Sequence, residues 1–203
     1  MTESPRILCL DLALANTGAA VLRLDPAGDL LEHVETIHTE KTDKATMRKA
    51  RMRVSDDEWR RTRELSDGLH RLLDSYRPSH VFIECPTGGS KSANAARSMA
   101  VARGAACAVL SSRGAPVTLV TPFEAKSAAT GSKSASKEEV KQAVLSRFPK
   151  FDKWIRGKSG KVVASLNEHA YDAVSVYMAA TQTKQYKELR NVTGKQQADR
   201  TAQ

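Results

Sequence analysis

The chain reads as a mixed α/β domain whose five-stranded sheet has three antiparallel strands first and two parallel strands after them, flanked by helices. Three observations carry that reading. Short apolar runs separated by turn residues fill positions 6–39, and helical stripes alternate with two further apolar runs over positions 55–120. No G-x-G-x-x-G or G-x-x-x-x-G-K-[ST] loop follows any of these runs, which argues against a doubly wound dinucleotide fold and a nucleotide cofactor.

The elements follow in order. Residues 6–12 form an apolar run suited to a strand buried on both faces, interrupted by the carboxylate of Asp11. Ala13 to Asn16 read as a turn closed by Thr17-Gly18, and Ala19 to Leu24 as a second strand returning antiparallel. Asp25-Pro26-Ala27-Gly28-Asp29 supplies the next turn, and a third strand spans Leu30 to Thr39. Ser55 and Glu58 form a capping-box pattern ahead of a helical stripe of Trp59, Leu65, Leu69, Leu72 and Leu73 that stops at Arg77-Pro78. His80 to Pro86 is a second buried-strand run, and Glu84 stands in it as Asp11 stands in the first.

A helix over Ser92 to Ser112 carries Ala93, Ala96, Ala100, Gly104, Cys107 and Ala108, small residues that permit close approach of another helix from within or from a second subunit. Val117 to Val120 makes the fifth strand, Thr121-Pro122 opens a short helix, and Lys137 to Phe148 gives another before Pro149. Asn167 to Thr183 forms the last helix of a domain covering 1–183. The polar stretch 184–203 has few apolar residues to bury and is expected to be a flexible tail.

Of 203 residues, 32 are Lys or Arg and 23 Asp or Glu, a net charge of +9 that suits a polyanionic partner. No apolar stretch approaches the ~18 residues of a membrane span. With no secretory signal pattern at the start, the expected location is the cytoplasm. Cys9, Cys85 and Cys107 stand in apolar contexts without C-x-x-C spacing, which makes a disulfide framework or zinc site improbable.

Acids in apolar strands need a reason. Asp11 and Glu84 end two such runs, and His169 and Asp172 share one face of the last helix. Carboxylates brought together repel, and hard divalent cations such as Mg²⁺ resolve that repulsion; a pair of such ions can serve phosphodiester hydrolysis. Glu168, one residue off that face, reads as a cap for the helix start.

At these residues the chain resembles the RuvC-type Holliday junction resolvases of the RNase H-like superfamily, phage-encoded members included. The resemblance rests on Ile7-Leu8-Cys9-Leu10-Asp11 with Thr17-Gly18, Phe82-Ile83-Glu84-Cys85-Pro86, Ala102-Arg103-Gly104-Ala105, and His169-Ala170-Tyr171-Asp172-Ala173, in that order over residues 6–182. Thr121-Pro122, Lys126, Thr130-Gly131 and Lys137 resemble a further family segment, while Ala13 replaces the family's usual glycine. The resemblance implies an RNase H-like fold and a metal-dependent endonuclease for four-way junctions and other branched DNA. It implies that Asp11, Glu84, His169 and Asp172 hold the metal, two Mg²⁺ ions per active site with Mn²⁺ able to substitute, and that Lys126 and Lys137 stand near the scissile phosphate. A homodimer is implied as well.

The segment Lys41 to Arg63, with nine basic residues against four acidic, would line DNA arms through Lys41, Lys44, Arg48, Lys49, Arg51 and Arg53. Lys91, Lys133, Lys150, Lys153, Arg156, Lys158 and Lys161 are further basic candidates for the DNA path. Trp59, Phe123 and Trp154 are the aromatic candidates for stacking on unpaired bases, with Trp59 expected in the core instead. Two other readings share these residues: a nuclease of the same fold acting on RNA or an RNA–DNA hybrid, and a nucleic-acid-binding module with an idle site.

Overall fold

The computed structural model describes residues 4–85, 92–154 and 163–201. Its sheet is built from β1 (Arg6–Asp11), β2 (Asn16–Arg23), β3 (Leu30–His38), β4 (His80–Glu84) and β5 (Val117–Val120) in the order β3-β2-β1-β4-β5. β1 pairs antiparallel with β2, and β2 with β3, while β4 lies parallel to β1 and β5 parallel to β4. This is the mixed sheet expected from the sequence.

Strand periodicity divides the core into two layers. Ile7, Cys9, Ala20, Leu22 and Phe82 face α4 (Pro122–Thr130), α5 (Lys137–Arg147), α6 (Ala164–Ala180) and α7 (Lys184–Thr201). Leu8, Leu10, Ala19, Val21, Val81 and Ile83 face α2 (Val54–Tyr76) and α3 (Ala93–Ser112). The alternation has a consequence for the acids: two residues beyond Cys9 is Asp11 and two beyond Phe82 is Glu84, so both belong to the α6 layer.

The helices begin and end for local reasons. α2 buries Leu65, Leu69, Leu72 and Leu73 and stops at Arg77, whose left-handed backbone (φ 45°) precedes Pro78. Its start differs from the expected Ser55 cap: Arg53 is the N-cap, and the Asp56 carboxylate accepts from the Arg53 backbone N–H at 2.9 Å. Trp59, expected in the core, is 76% exposed, because it falls beside the leucine ridge and not on it. A short helix α1 (Lys44–Lys49), capped by Asp43, precedes α2. α4 and α5 carry reciprocal capping boxes, Thr121 with Glu124 and Ser136 with Glu139.

The stretch from Lys184, expected as a flexible tail, is helical through Thr201. It forms α7, in which Tyr186 and Leu189 pack against the body of the domain and Thr193, buried, donates to the Leu189 carbonyl at 2.9 Å. One buried tyrosine and one bonded arginine supply what the low apolar content withholds: Tyr186 and Arg190 both reach Asp29 in the β2–β3 connection.

Candidate metal centre

Asp11 ends β1 directly beside Glu84, its register partner at the end of β4. α6 crosses the same face of the sheet and brings His169 and Asp172 to Asp11. One ligand atom from each of Asp11, His169 and Asp172 lies within 4.8 Å of the other two. The helix comes this close because β2 carries a glycine at the crossing. A Cβ built on Gly18, the residue paired with Asp11, would stand 1.9 Å from the His169 carbonyl oxygen. Thr17 holds the connection before it, its hydroxyl donating to the Ala13 carbonyl at 2.7 Å and accepting from the Ala13 N–H at 3.3 Å. Ala13 is not among the non-glycine residues with positive φ, so this loop imposes no left-handed backbone there.

The acids are held in an uncompensated state. Burial, followed by the charges of Asp11 and Asp172, pushes the Glu84 carboxyl up to about 7, against a smaller downward pull from Lys126. Burial and then Asp11 raise Asp172 to about 6, with Lys137 and His169 opposing. Asp11 in turn raises the His169 imidazole. Yet His169 Nδ1, 3.5 Å from Asp11 Oδ2, is buried and has no aligned hydrogen-bond partner. A buried imidazole nitrogen left without a bond, facing two carboxylates with a third beside them, fits a divalent cation: hard oxygen donors, excess negative charge and one open nitrogen.

Two lysines edge this cluster. Lys126, on α4, is close enough to Glu84 for its charge to be felt there. Lys137, the first residue of α5, is ion-paired with Glu168 and feels the charges of Asp172 and Asp11. Glu168 therefore does not cap α6, which begins at Ala164 with Val163 as N-cap; it holds Lys137 instead. The roles of Gly18 and Glu168 escaped sequence reasoning. Thr17-Gly18 was visible as a motif, but the need for a missing Cβ appears only when α6 is laid across β2.

Comparison with known proteins bears on the same residues. The family model described as crossover junction endodeoxyribonuclease RuvC matches residues 7–155. The chain belongs to the RuvC family. It is 31% identical over 136 residues to the RuvC of Pseudothermotoga lettingae, covering 64% of this chain and 75% of that one. It is 29% identical over 143 residues to that of Geobacter sulfurreducens, covering 70% and 77%. Among solved structures it resembles T. thermophilus RuvC in complex with a Holliday junction substrate, with TM-score 0.64, 20% identity and coverage of 86% and 92%. The yeast mitochondrial Holliday junction resolvase Ydc2 superposes with TM-score 0.57 at 11% identity, covering 95% of this chain and 86% of that one. Membership of the RuvC family makes the chain a structure-selective endonuclease of crossover junctions and places it among divalent-metal-dependent nucleases.

The remaining candidates of this RuvC chain are scattered differently. Lys41, Lys44, Arg48, Lys49, Arg51 and Arg53 are exposed on and around α1. Lys133 is exposed beside a groove that also holds Leu119 and Phe123. Lys153 donates to the Glu32 carbonyl at 3.1 Å, at the start of β3, the end of the sheet opposite Asp11. Lys91, Arg156, Lys158 and Lys161 lie outside the described residues. Trp154 is unavailable for stacking on a base, because it is buried against Phe151 and Tyr171 with ring centroids 4.9 and 4.8 Å away. Phe123 and Trp59 are exposed.

Proposed function

We propose that the chain resolves four-way junctions and other branched DNA by hydrolysing phosphodiester bonds at the cluster of Asp11, Glu84, His169 and Asp172, which holds two Mg²⁺ ions or Mn²⁺ in their place. The observation that carries this is the uncompensated cluster itself: two carboxylates and an imidazole within reach of one another, a buried nitrogen without a bond, and Glu84 pushed up to about 7 beside them. Divalent cations bound there would supply an activated water and neutralise charge developing on the phosphate. Lys126 and Lys137 add fixed positive charge at the rim, suited to holding the scissile phosphate against repulsion from the acids. Lys41, Lys44, Arg48, Lys49, Arg51 and Arg53 would track phosphates of the DNA arms, setting affinity and not sequence preference.

A junction presents two symmetric strands, which favours a homodimer. The outer side of α3 supports that assignment: Ala93, Ala96, Ala100, Gly104, Cys107 and Ala108 are exposed, while Ala102, Ala106, Val109 and Leu110 turn inward. No helix among the described residues is long and apolar enough to cross a membrane, and we place the activity in the cytoplasm, where the DNA is.

The test is cleavage of end-labelled four-way junction, linear duplex and RNA–DNA hybrid in Mg²⁺, Mn²⁺ and EDTA, with Asp11→Asn alongside. Paired symmetric nicks in the junction that need both metal and Asp11 are expected. Preferential cutting of the hybrid, or nicking by the Asp11→Asn protein, would overturn the assignment. Neutralising Lys41, Lys44, Arg48 and Lys49 together should flatten the salt dependence of junction binding by about 3 to 4 in log–log slope.

A further inference from the structure

The largest exposed apolar side chain of the described residues follows in sequence a run of cations that form no ion pair among the described residues. Trp59 is 76% exposed, on the second turn of α2. The segment before it contains four acids, and each is engaged inside the protein. Asp43 caps α1, Asp56 accepts from Arg53, Asp57 accepts from Thr42 and Arg60, and Glu58 is paired with Arg97 on α3. Among the described residues no ion pair is formed by Lys41, Lys44, Arg48, Lys49 or Arg51, all of them exposed. The result is an exposed indole on a turn of α2 that Arg60 ties to Glu40, at the start of a segment whose cations are free for phosphates.

This region is tied to the metal-centre end of the sheet. Arg61 Nε donates to the Thr39 hydroxyl at 3.1 Å, and that hydroxyl donates to the Leu14 carbonyl, three residues past Asp11. Thr39 N–H also bonds the Ala15 carbonyl at 2.9 Å, and Arg60 donates to the Glu40 carbonyl at 2.6 Å. Trp59 therefore projects from a turn of α2 that is anchored, through Thr39, to the loop leaving the catalytic strand. The other exposed aromatic, Phe123, has different company: it shares its groove with Leu119 and Ala128, and Glu124 stands beside it.

We propose that Trp59 is a stacking platform for an unpaired nucleobase at the branch point of the DNA, with Lys41, Lys44 and Arg48 holding the adjoining phosphates. The inference rests on the branched-DNA reading and adds to it a residue that distinguishes branched from continuous duplex. A fully paired duplex keeps its bases stacked on one another and offers phosphates only, whereas a branch point offers a base face to an exposed indole. The cations alone would bind both forms alike.

Acrylamide quenching of tryptophan fluorescence, in EDTA to prevent cleavage, reads this directly, because Trp154 is buried and Trp59 dominates the accessible emission. Adding four-way junction should protect Trp59, and adding linear duplex of equal arm length should leave it accessible. Trp59→Ala should weaken junction binding by about 5- to 100-fold with duplex binding unchanged, and Trp59→Phe should recover most of the loss. An unchanged Tm of both variants excludes a folding defect. Trp59 that remains accessible on the junction overturns the inference, as does an equal loss of affinity for duplex. Trp59 already shielded in the DNA-free protein overturns it too, and assigns this face to a second copy of the chain. Wild-type protein without preference for junction over duplex removes the branched-DNA reading as well; preference that survives Trp59→Ala removes the stacking role alone.

Discussion

Helix α6 lies against a buried acid, Asp29, and a half-buried acid cluster, and their surroundings are built in opposite ways. At its carboxyl-terminal half, Asp29 is almost fully buried and fully served: the Tyr177 hydroxyl donates to it at 3.0 Å, Tyr186 donates to the same oxygen, and Arg190 donates at 2.9 Å to the other. Burial and the neighbouring Asp29 push Tyr177 up to about 12, which keeps its proton available for donation. At the amino-terminal half, Asp11 and Asp172 meet with the His169 imidazole, Glu84 lies beside Asp11, and Glu84 and Asp172 are raised by burial and by like charge. The first cluster closes its own account with hydrogen bonds and a cation from within the chain. The second leaves negative charge and a buried nitrogen unmatched, which a folded protein retains where an external cation completes the set. A buried or half-buried acid is thus informative according to what surrounds it: donors satisfy it from within the chain, whereas other acids leave charge for a bound cation to match.

Substitutions should separate the two clusters. The largest effect is expected from Asp11→Asn or Asp172→Asn, which should reduce junction cleavage by more than ~10²-fold while leaving junction binding and folding intact. Gel-shift and cleavage assays on the same preparation check this, and a parallel loss of binding and folding would place these acids with Asp29. Asp29→Asn should do the reverse. Removing the charge opposite Arg190 is expected to cost about 2–3 kcal/mol and lower Tm by about 5–10 °C, with cleavage retained at low temperature. Thermal unfolding followed by circular dichroism measures it, and α7 should lose amide protection first.

Gly18→Ala tests whether close approach of α6 matters apart from charge. Its Cβ would meet the His169 backbone at 1.9 Å, so α6 must shift, costing about 1–3 kcal/mol and a large share of cleavage. Unchanged activity would show that the ligand geometry tolerates movement of the helix. The smallest effect concerns pH. Glu84, at about 7, and Asp172, at about 6, bind their protons more tightly folded than unfolded. The unfolded chain therefore holds fewer protons from the ordinary carboxylate range up to those values, and stability of the chelated protein falls as pH rises through that window. Glu84→Gln should raise Tm of chelated protein at pH 8 by about 3–6 °C, equivalent to ~1–2 kcal/mol, and abolish most of the stabilisation that Mg²⁺ confers on the wild type. Differential scanning calorimetry with and without Mg²⁺ reads both.

Much of this was legible in the residue order. Apolar runs bounded by turn residues marked all five strands, and Asp11 and Glu84 stood out because a carboxylate in such a run has no local explanation. Thr121-Pro122 and Lys137 marked helix starts at the residues where α4 and α5 begin. Other features misled for identifiable reasons. Trp59 sits one step around the helix from a leucine ridge, and a periodic reading cannot exclude it from a stripe that α2 presents to the sheet. Residues 184–193 have too few apolar side chains to suggest packing, yet Tyr186 and Arg190 bind an acid that is distant in sequence. Glu168 suits a cap only for a helix that begins at Asn167, and α6 begins three residues earlier at Ala164.

The sequence by itself determined which segments are strands and helices and which acids have no local purpose, because periodicity, capping and turn chemistry act over a few residues. It also carried the resemblance to the RuvC family, through short motifs in the family's order along the chain. Only the tertiary structure decided which acids meet. Asp11 and Glu84 become neighbours through a parallel register that pairs residues 73 apart in the chain, and His169 joins them because Gly18 has no side chain to keep α6 away. Likewise, only the folded chain shows Asp29 matched and Asp11 unmatched, since compensation of charge depends on distances between side chains that are far apart in the sequence.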